Sequence, residues 1–384
     1  MRRRRLLPLV ALLLASSVGA QVPFVVEEID DEGPTDPWGK SAGDLDGDGL
    51  PELLVQGHGG DLVAYHPPAL TRETIAFGGS FSTDLEVVDV DGLSGPDLVV
   101  VAVGELLWYE SPSWIPHPIE SRTLHDVEAA DLDLDGDVDL VARNQGGSGN
   151  EIHLYRQDSP FSWFHRALPI PAGEGLSLAD VDRDGDQDIV VEARWIENPR
   201  SLEASAVWEQ HVYGPTWGWD ATFVATGDVD GDGRVDIVLS PSESAGGSHR
   251  ISWFEAPADP RTAWPEHPIE EPVESVHHFV GVADLDGDGD LDVAAAEMHQ
   301  GADPDEVKIF WNLGDGASWA KDVLAGSGSH SMRLVDVDGD GDVDLFGANW
   351  SGPHQSVELW RNTSALFTDG FESGDTSRWS TSVP

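Results

Sequence analysis

Apolar residues along this chain gather in short runs rich in β-branched side chains, parted by glycine, proline and aspartate. No segment carries a sustained helical period, so an all-β chain is expected. The runs follow one grammar of four strands. An apolar segment such as Val127-Glu128-Ala129-Ala130 leads into an aspartate-rich turn, and a β-branched run such as Leu98-Val99-Val100-Val101 leaves it. A strand bearing an aromatic comes next (Trp108-Tyr109, Tyr155, Trp195, Trp253-Phe254, Trp311, Trp360). The last strand resembles Trp114 to Ile119, with echoes at Trp163 to Leu168, Trp208 to Val212, Trp264 to Ile269 and Trp319 to Leu324.

The turns begin at Asp44, Asp89, Asp131, Asp180, Asp228, Asp284 and Asp336, at intervals of 42 to 56 residues. That period suits one propeller blade better than the shorter coils of leucine-rich or hexapeptide solenoids. The seventh unit ends after three strands, at Val357 to Trp360, whereas Phe24 to Ile29 is a spare strand ahead of the first unit. The expected fold is therefore a seven-bladed β-propeller of four-stranded blades over residues 21–363, its ring closed by the N-terminal strand completing the last blade. Closure leaves no long sheet edge open. Residues 1–20 read as a signal peptide: Arg2 to Arg5, an apolar run from Leu6 to Ala15, then Val18-Gly19-Ala20. Residues 364–384 fit no blade and are expected to form a flexible tail.

Composition narrows the function classes. The 71 acidic and 21 basic residues give a net charge of −50, which argues against nucleic acid and anionic lipid as partners. With no cysteine, the chain has no disulfide, thiolate metal site or cysteine nucleophile. No later stretch is apolar and long enough to span a bilayer, so a secreted or periplasmic monomer is expected.

The turns themselves carry chemistry. Asp284-Leu285-Asp286-Gly287-Asp288-Gly289-Asp290-Leu291-Asp292 places acids at positions 1, 3, 5 and 9 around a glycine at position 6. Such a set of hard oxygens favours Ca²⁺ over Zn²⁺ or Cu²⁺. The corresponding ligand sets are Asp44, Asp46, Asp48 and Glu52; Asp131, Asp133, Asp135 and Asp139; Asp180, Asp182, Asp184 and Asp188; Asp228, Asp230, Asp232 and Asp236; Asp284, Asp286, Asp288 and Asp292; and Asp336, Asp338, Asp340 and Asp344. About six Ca²⁺ ions are expected. The second turn has Leu93 where the third carboxylate belongs and is expected to bind weakly or not at all. EF-hands start alike, but their position-12 glutamate is absent here, and the ninth acid takes its place.

On these turns the chain resembles the FG-GAP/VCBS repeats, the units of the integrin α-chain propeller and of many secreted bacterial proteins, over roughly residues 22–363. The resemblance implies a calcium-bearing propeller. The class includes adhesion modules, lectin-like domains and parts of carbohydrate-active lyases.

A strand of about six residues spans about 20 Å, so residues some six before each first aspartate should lie on the opposite face, at the channel mouth. That rim collects Trp38, Asp84, His125 and Glu174, with His58, Arg194 and Trp350 where the next strand runs back to the same face and Trp219 from a nearby insertion, a set suited to a glycan or an extracellular protein. His278, His330, Glu297 and His299, from the sixth and seventh units, are the candidate catalytic or metal-binding group for a lyase or dehydratase alternative. His117, His165, His211 and His267 recur in the outermost strand and read as packing residues.

Overall fold

The computed structural model describes residues 24–93 and 95–363. The expected signal peptide and tail lie outside the described residues. Among these residues, 28 strands make seven four-stranded antiparallel sheets, and one 3₁₀ turn, Gly146–Ser148, is the helical element. Six sheets consist of four consecutive strands each. The seventh takes Phe24–Asp30 as its outer strand, paired antiparallel with Val357–Asn362 in a register that sets Val26 opposite Trp360. The ring closes as the strand count requires.

The burial pattern explains the composition of each strand. Second strands such as Asp97–Ala102 and Asp236–Pro241 are buried at every position, because neighbouring sheets cover both of their faces. Continuous apolar runs are the signature of that environment. Fourth strands such as Ile115–Glu120 have partly or fully exposed residues throughout. The core is divided into seven clusters, each shared by two adjacent blades. In the cluster that seals the ring, Leu53, Val55, Val63 and Tyr65 of blade 1 pack on Val337, Phe346, Val357 and Leu359 of blade 7.

The outer histidines pack as expected. His117, His165, His211 and His267 each stand opposite the aromatic residue of the third strand, with ring centroids 4.5 to 4.9 Å apart. His117, His211 and His267 also hold the glutamate two residues beyond that aromatic, at 2.9 to 3.0 Å. They pack within the blade.

Candidate functional site

Two regions carry unusual polar chemistry: the turns on one face of the ring and the channel that opens on the other. In each well-formed turn the first aspartate folds the loop around its own carboxylate. Asp284 accepts the N–H groups of Gly287 at 2.8 Å and Gly289 at 3.1 Å, and Asp336 accepts those of Gly339 and Gly341 at 2.8 and 3.0 Å. The sixth-position glycines have φ between +86° and +99°, a conformation that a Cβ would strain. Asp44, Asp46 and Asp48 each bring a carboxylate oxygen within 4.8 Å of the others. Oδ1 of Asp133 and Oδ1 of Asp182 are buried without a hydrogen-bond partner. A buried, unpaired anionic oxygen is costly unless a cation meets it, so the donor set fits a hard divalent ion.

The ninth acid has a second task that its spacing did not disclose. Asp139 accepts the N–H of Leu132 at 3.1 Å and that of Gln157 at 3.0 Å, tying the turn to the end of the third strand. Asp188, Asp236, Asp292 and Asp344 do the same. Asp97, in the degraded second turn, keeps both bonds, to Val90 at 2.9 Å and Ser111 at 2.8 Å. The clamp therefore survives where the acid set is incomplete. Burial pushes the carboxyls of Asp139, Asp188, Asp236, Asp292 and Asp344 up to about 7, against the pull of these backbone bonds. A further staple crosses between blades: Gln157, Asn198 and Asn312 each donate a side-chain amide to the second-position carbonyl of the preceding blade's turn (Val90, Leu132 and Val229), all at 2.9 Å.

Two cavities lie along the channel and share Thr83 and His125. The inner one, about 250 Å³, is lined by Asp84, Glu86, Asp126, Glu128 and Arg333, with His125, Phe223 and His278 above them. Its acids alternate along the innermost strands of blades 2 and 3, because every second side chain of a strand faces the axis. Arg333 binds Asp84 at 2.9 Å and lies 3.9 Å from Glu86. Burial raises Asp84, and raises Glu86 to about 8, with Asp84 adding to the shift at Glu86 and Arg333 opposing both. Glu128 is raised well above its usual range by burial and by the charges of Glu86 and Asp84.

The outer cavity, about 430 Å³, forms the mouth. Trp38, His58 and Trp350 supply its rings, and Asn144, Gln145, Gln300 and Glu243 supply polar groups. Trp38 stacks on His58 at 4.4 Å and meets Trp350 edge-on at 5.3 Å. Trp38 Nε1 and Gln300 Oε1 are buried and without partners.

Between the cavities is a histidine cluster. His278 and His330 stack at 4.0 Å, and His125 meets His278 edge-on at 5.7 Å. His125 Nδ1 bonds Asp126 at 2.8 Å, His278 Nδ1 bonds the His330 carbonyl at 3.0 Å, and Glu174 accepts the Ser242 hydroxyl. Burial opposes charge on His125, but Asp126, with Glu174 and Glu243, outweighs it and holds its pKa at about 9. His278 is raised against burial by Glu243 and Glu174, whereas burial and the neighbouring His278 and Lys40 push His330 well below its usual value.

Of the eight rim residues, Trp38, His58, Asp84, His125 and Trp350 line the cavities, and Glu174 joins His125 and His278. Arg194 instead bonds Gln210 at 3.3 Å, and Trp219 bonds the Ser242 carbonyl beside His249. The four candidate catalytic residues do not converge. His278 and His330 meet, but Glu297 lies 3.2 Å from His277 and 3.3 Å from Lys308, and His299 packs edge-on against Trp350 at 5.2 Å. Adjacent residues of an extended chain point to opposite sides, so His278 enters the channel while its neighbour His277 takes Glu297. Glu243 fills the place expected for Glu297, 3.2 Å from His278 Nε2. It sits at φ +70° just after a second strand, and no periodicity marked it. Glu86, Glu128 and Arg333 were legible in principle from strand alternation. Lys40, buried and donating to the carbonyls of Pro37, Trp38 and Ala348, was not.

A family model described as FG-GAP-like repeat matches residues 131–191 and 284–347. No curated protein matches the chain. Among solved structures, a lectin from Agrocybe aegerita, described for specific recognition of non-reducing terminal N-acetylglucosamine, is 16% identical with a TM-score of 0.53 over 83% of this chain and 94% of its own. BBS1N, crystallised in complex with ARL6DN, is 9% identical with a TM-score of 0.56 over 90% of this chain and 99% of its own. At such identities the likeness is one of fold. Four of the acidic turns fall inside the matched segments and all seven blades share one plan, so this chain is a seven-bladed β-propeller that carries FG-GAP-like repeats in the matched segments.

Proposed function

We propose that the propeller is an exported binding module that takes a neutral glycan end at the channel mouth, on a ring held together by Ca²⁺. The observation that carries this is the composition of the outer cavity. The rings of Trp38, His58 and Trp350 stand beside the unpaired Trp38 Nε1 and Gln300 Oε1. A sugar needs both apolar ring faces and hydroxyl partners, and sites of this kind combine aromatic walls with a few placed polar groups. Recognition of terminal N-acetylglucosamine by the lectin of similar fold points the same way. The acid-rich lining beneath the mouth, with Asp84, Glu86, Asp126 and Glu128 around Arg333, disfavours uronate polymers and with them the lyase alternative. In the six well-formed turns, the acids at positions 1, 3, 5 and 9 would hold Ca²⁺, which offsets their mutual repulsion. Export is supported by the arginine-led apolar leader at residues 2–20.

The test is a glycan array followed by calorimetry on the calcium-loaded protein, with N-acetylglucosamine-ended and uronate-rich glycans as the two arms. Binding of neutral ends that weakens at least about tenfold in Trp350→Ala, with the melting temperature kept, is the expected result; about 1–3 kcal/mol of ring stacking sets that scale. No binding to any neutral glycan would remove the proposal.

A further inference from the structure

The geometry points to a second, chemically distinct metal site in this protein: a buried centre for a divalent transition-metal ion of the Zn²⁺ class, formed by His125, Glu174 and His278 where the two channel cavities meet. Each of the three offers one donor atom, all within 4.8 Å of one another, and all three residues are buried. They come from blades 3, 4 and 6, at the inner-strand ends that face the axis, so the fold and not a local motif assembles them.

What distinguishes the cluster from a chance meeting is the state of the other ring nitrogens. His125 Nδ1 is held by Asp126 at 2.8 Å, and His278 Nδ1 by the carbonyl of His330 at 3.0 Å. Both imidazoles are thereby oriented through one nitrogen, with Nε2 left as the donor. Carboxylate or carbonyl support behind a ligating histidine is the usual outer arrangement of a metal centre. His278 Nε2, buried and 3.2 Å from Glu243 Oε1, makes no hydrogen bond of good geometry, and neither does Nδ1 of the buried His330 stacked on it. Asp126 also accepts the Gly175 N–H at 3.2 Å, and Glu174 accepts the Ser242 hydroxyl, so the anionic members are positioned too.

Charge supports the same assignment. Buried Asp126 and Glu174, with the exposed Glu243 at their edge, bring three carboxylates to two buried imidazoles, and a dication offsets the excess. Two imidazole nitrogens and one carboxylate form a borderline set, which suits Zn²⁺ and its neighbours, whereas the all-oxygen turns suit Ca²⁺. A tetrahedral ion with bonds of about 2.0–2.1 Å draws its donors to about 3.4 Å apart. Glu243, which forms an overlapping group with His278 and His330, stands as the fourth donor. His125, Glu243 and His330 also line the mouth, so a ligand seated there meets the ion directly. The site does not depend on glycan binding, since uptake of the ion is measured with no sugar present.

The experiment uses the full chain saturated with Ca²⁺ and stripped of transition metals. Co²⁺ is titrated in and followed by its visible absorption, and Zn²⁺ by calorimetry. One equivalent of Co²⁺ with tetrahedral-type bands, displaced by Zn²⁺ and not by excess Ca²⁺, is expected. His278→Ala and His125→Ala should abolish the bands, and Glu174→Gln should weaken uptake. Asp126→Asn, which removes the charge behind His125 but none of the three proposed ligands, should weaken it about 10- to 100-fold and serves if the histidine variants fail to fold. Phe161→Ala, in the exposed turn between the third and fourth strands of blade 3, should leave it unchanged. Absence of Co²⁺ and Zn²⁺ uptake, displacement by Ca²⁺, or uptake that none of the channel substitutions alters would each overturn the assignment.

Discussion

On the turn face, seven blades repeat one device. A first aspartate wraps its own loop in the well-formed turns, and a ninth acid pins that loop to the third strand, even in blade 2 where Leu93 interrupts the set. At the mouth the side chains change from blade to blade: Trp38 and His58 from blade 1, His125 and Asn144 from blade 3, Glu243 from blade 5, His330 and Trp350 from blade 7. Repetition on one face gives the ring its shape, and departure from repetition on the other gives it an individual pocket. The two faces should accordingly respond to different perturbations, which makes the contrast breakable.

The largest effect should come from calcium removal. An ion at one hundred times its Kd stabilises a fold by about 2.7 kcal/mol per site, so EGTA should lower the melting temperature by more than about 10 °C, with recovery on adding Ca²⁺. A melt unchanged by EGTA would make the turn face a purely hydrogen-bonded construction. Next in size is removal of a ninth acid. Asp97→Ala deletes the acceptor of the Val90 and Ser111 N–H groups and should cost roughly 1–3 kcal/mol for each orphaned donor. The loss should be equal with and without Ca²⁺, whereas Asp48→Ala should destabilise more when Ca²⁺ is present; chemical denaturation of both variants in the two buffers separates clamp from cage.

A smaller loss, about 1–2 kcal/mol by the same measurement, is expected for Asn198→Ala, which removes the amide bridge to Leu132 between blades 3 and 4. A separate effect, read through pH, concerns the channel acids. Glu86 faces Asp84, Glu128 and Arg333, and burial raises its pKa to about 8. The unfolded chain ionises near 4.5 while the folded one keeps its proton to about 8, so stability should fall as pH rises across that window and level off above it. Glu86→Gln should flatten this slope in melts recorded at several pH values, and an unchanged slope would assign the pH dependence to other carboxyls.

The architecture could be read from the sequence because its cause is periodic: one glycine-punctuated acidic turn per blade, and a missing fourth strand balanced by a spare first one. The mouth was legible only as far as strand length carried it. Counting back six residues found Trp38, His125 and His330, but it could not tell His277 from His278, on which the partner of Glu297 turns. Nor could it place Glu243, whose position depends on a left-handed residue after a strand. Arg194, on a returning strand, and Trp219, in an insertion, bond Gln210 and the Ser242 carbonyl instead of lining the cavities. Such choices are made by contacts between blades, and those exist only once the ring has formed.

The seam between the first and last strands has a consequence in time. Glu27 meets Arg361 across 334 residues of chain, so the earliest described segment to be synthesised must wait for nearly the latest before it finds its place. Until then the nascent polypeptide is a string of sheets whose final latch is missing, and contacts this remote in sequence form slowly. A ribosome that stalls in the last blade would release a product that holds most of its blades but has no way to lock them.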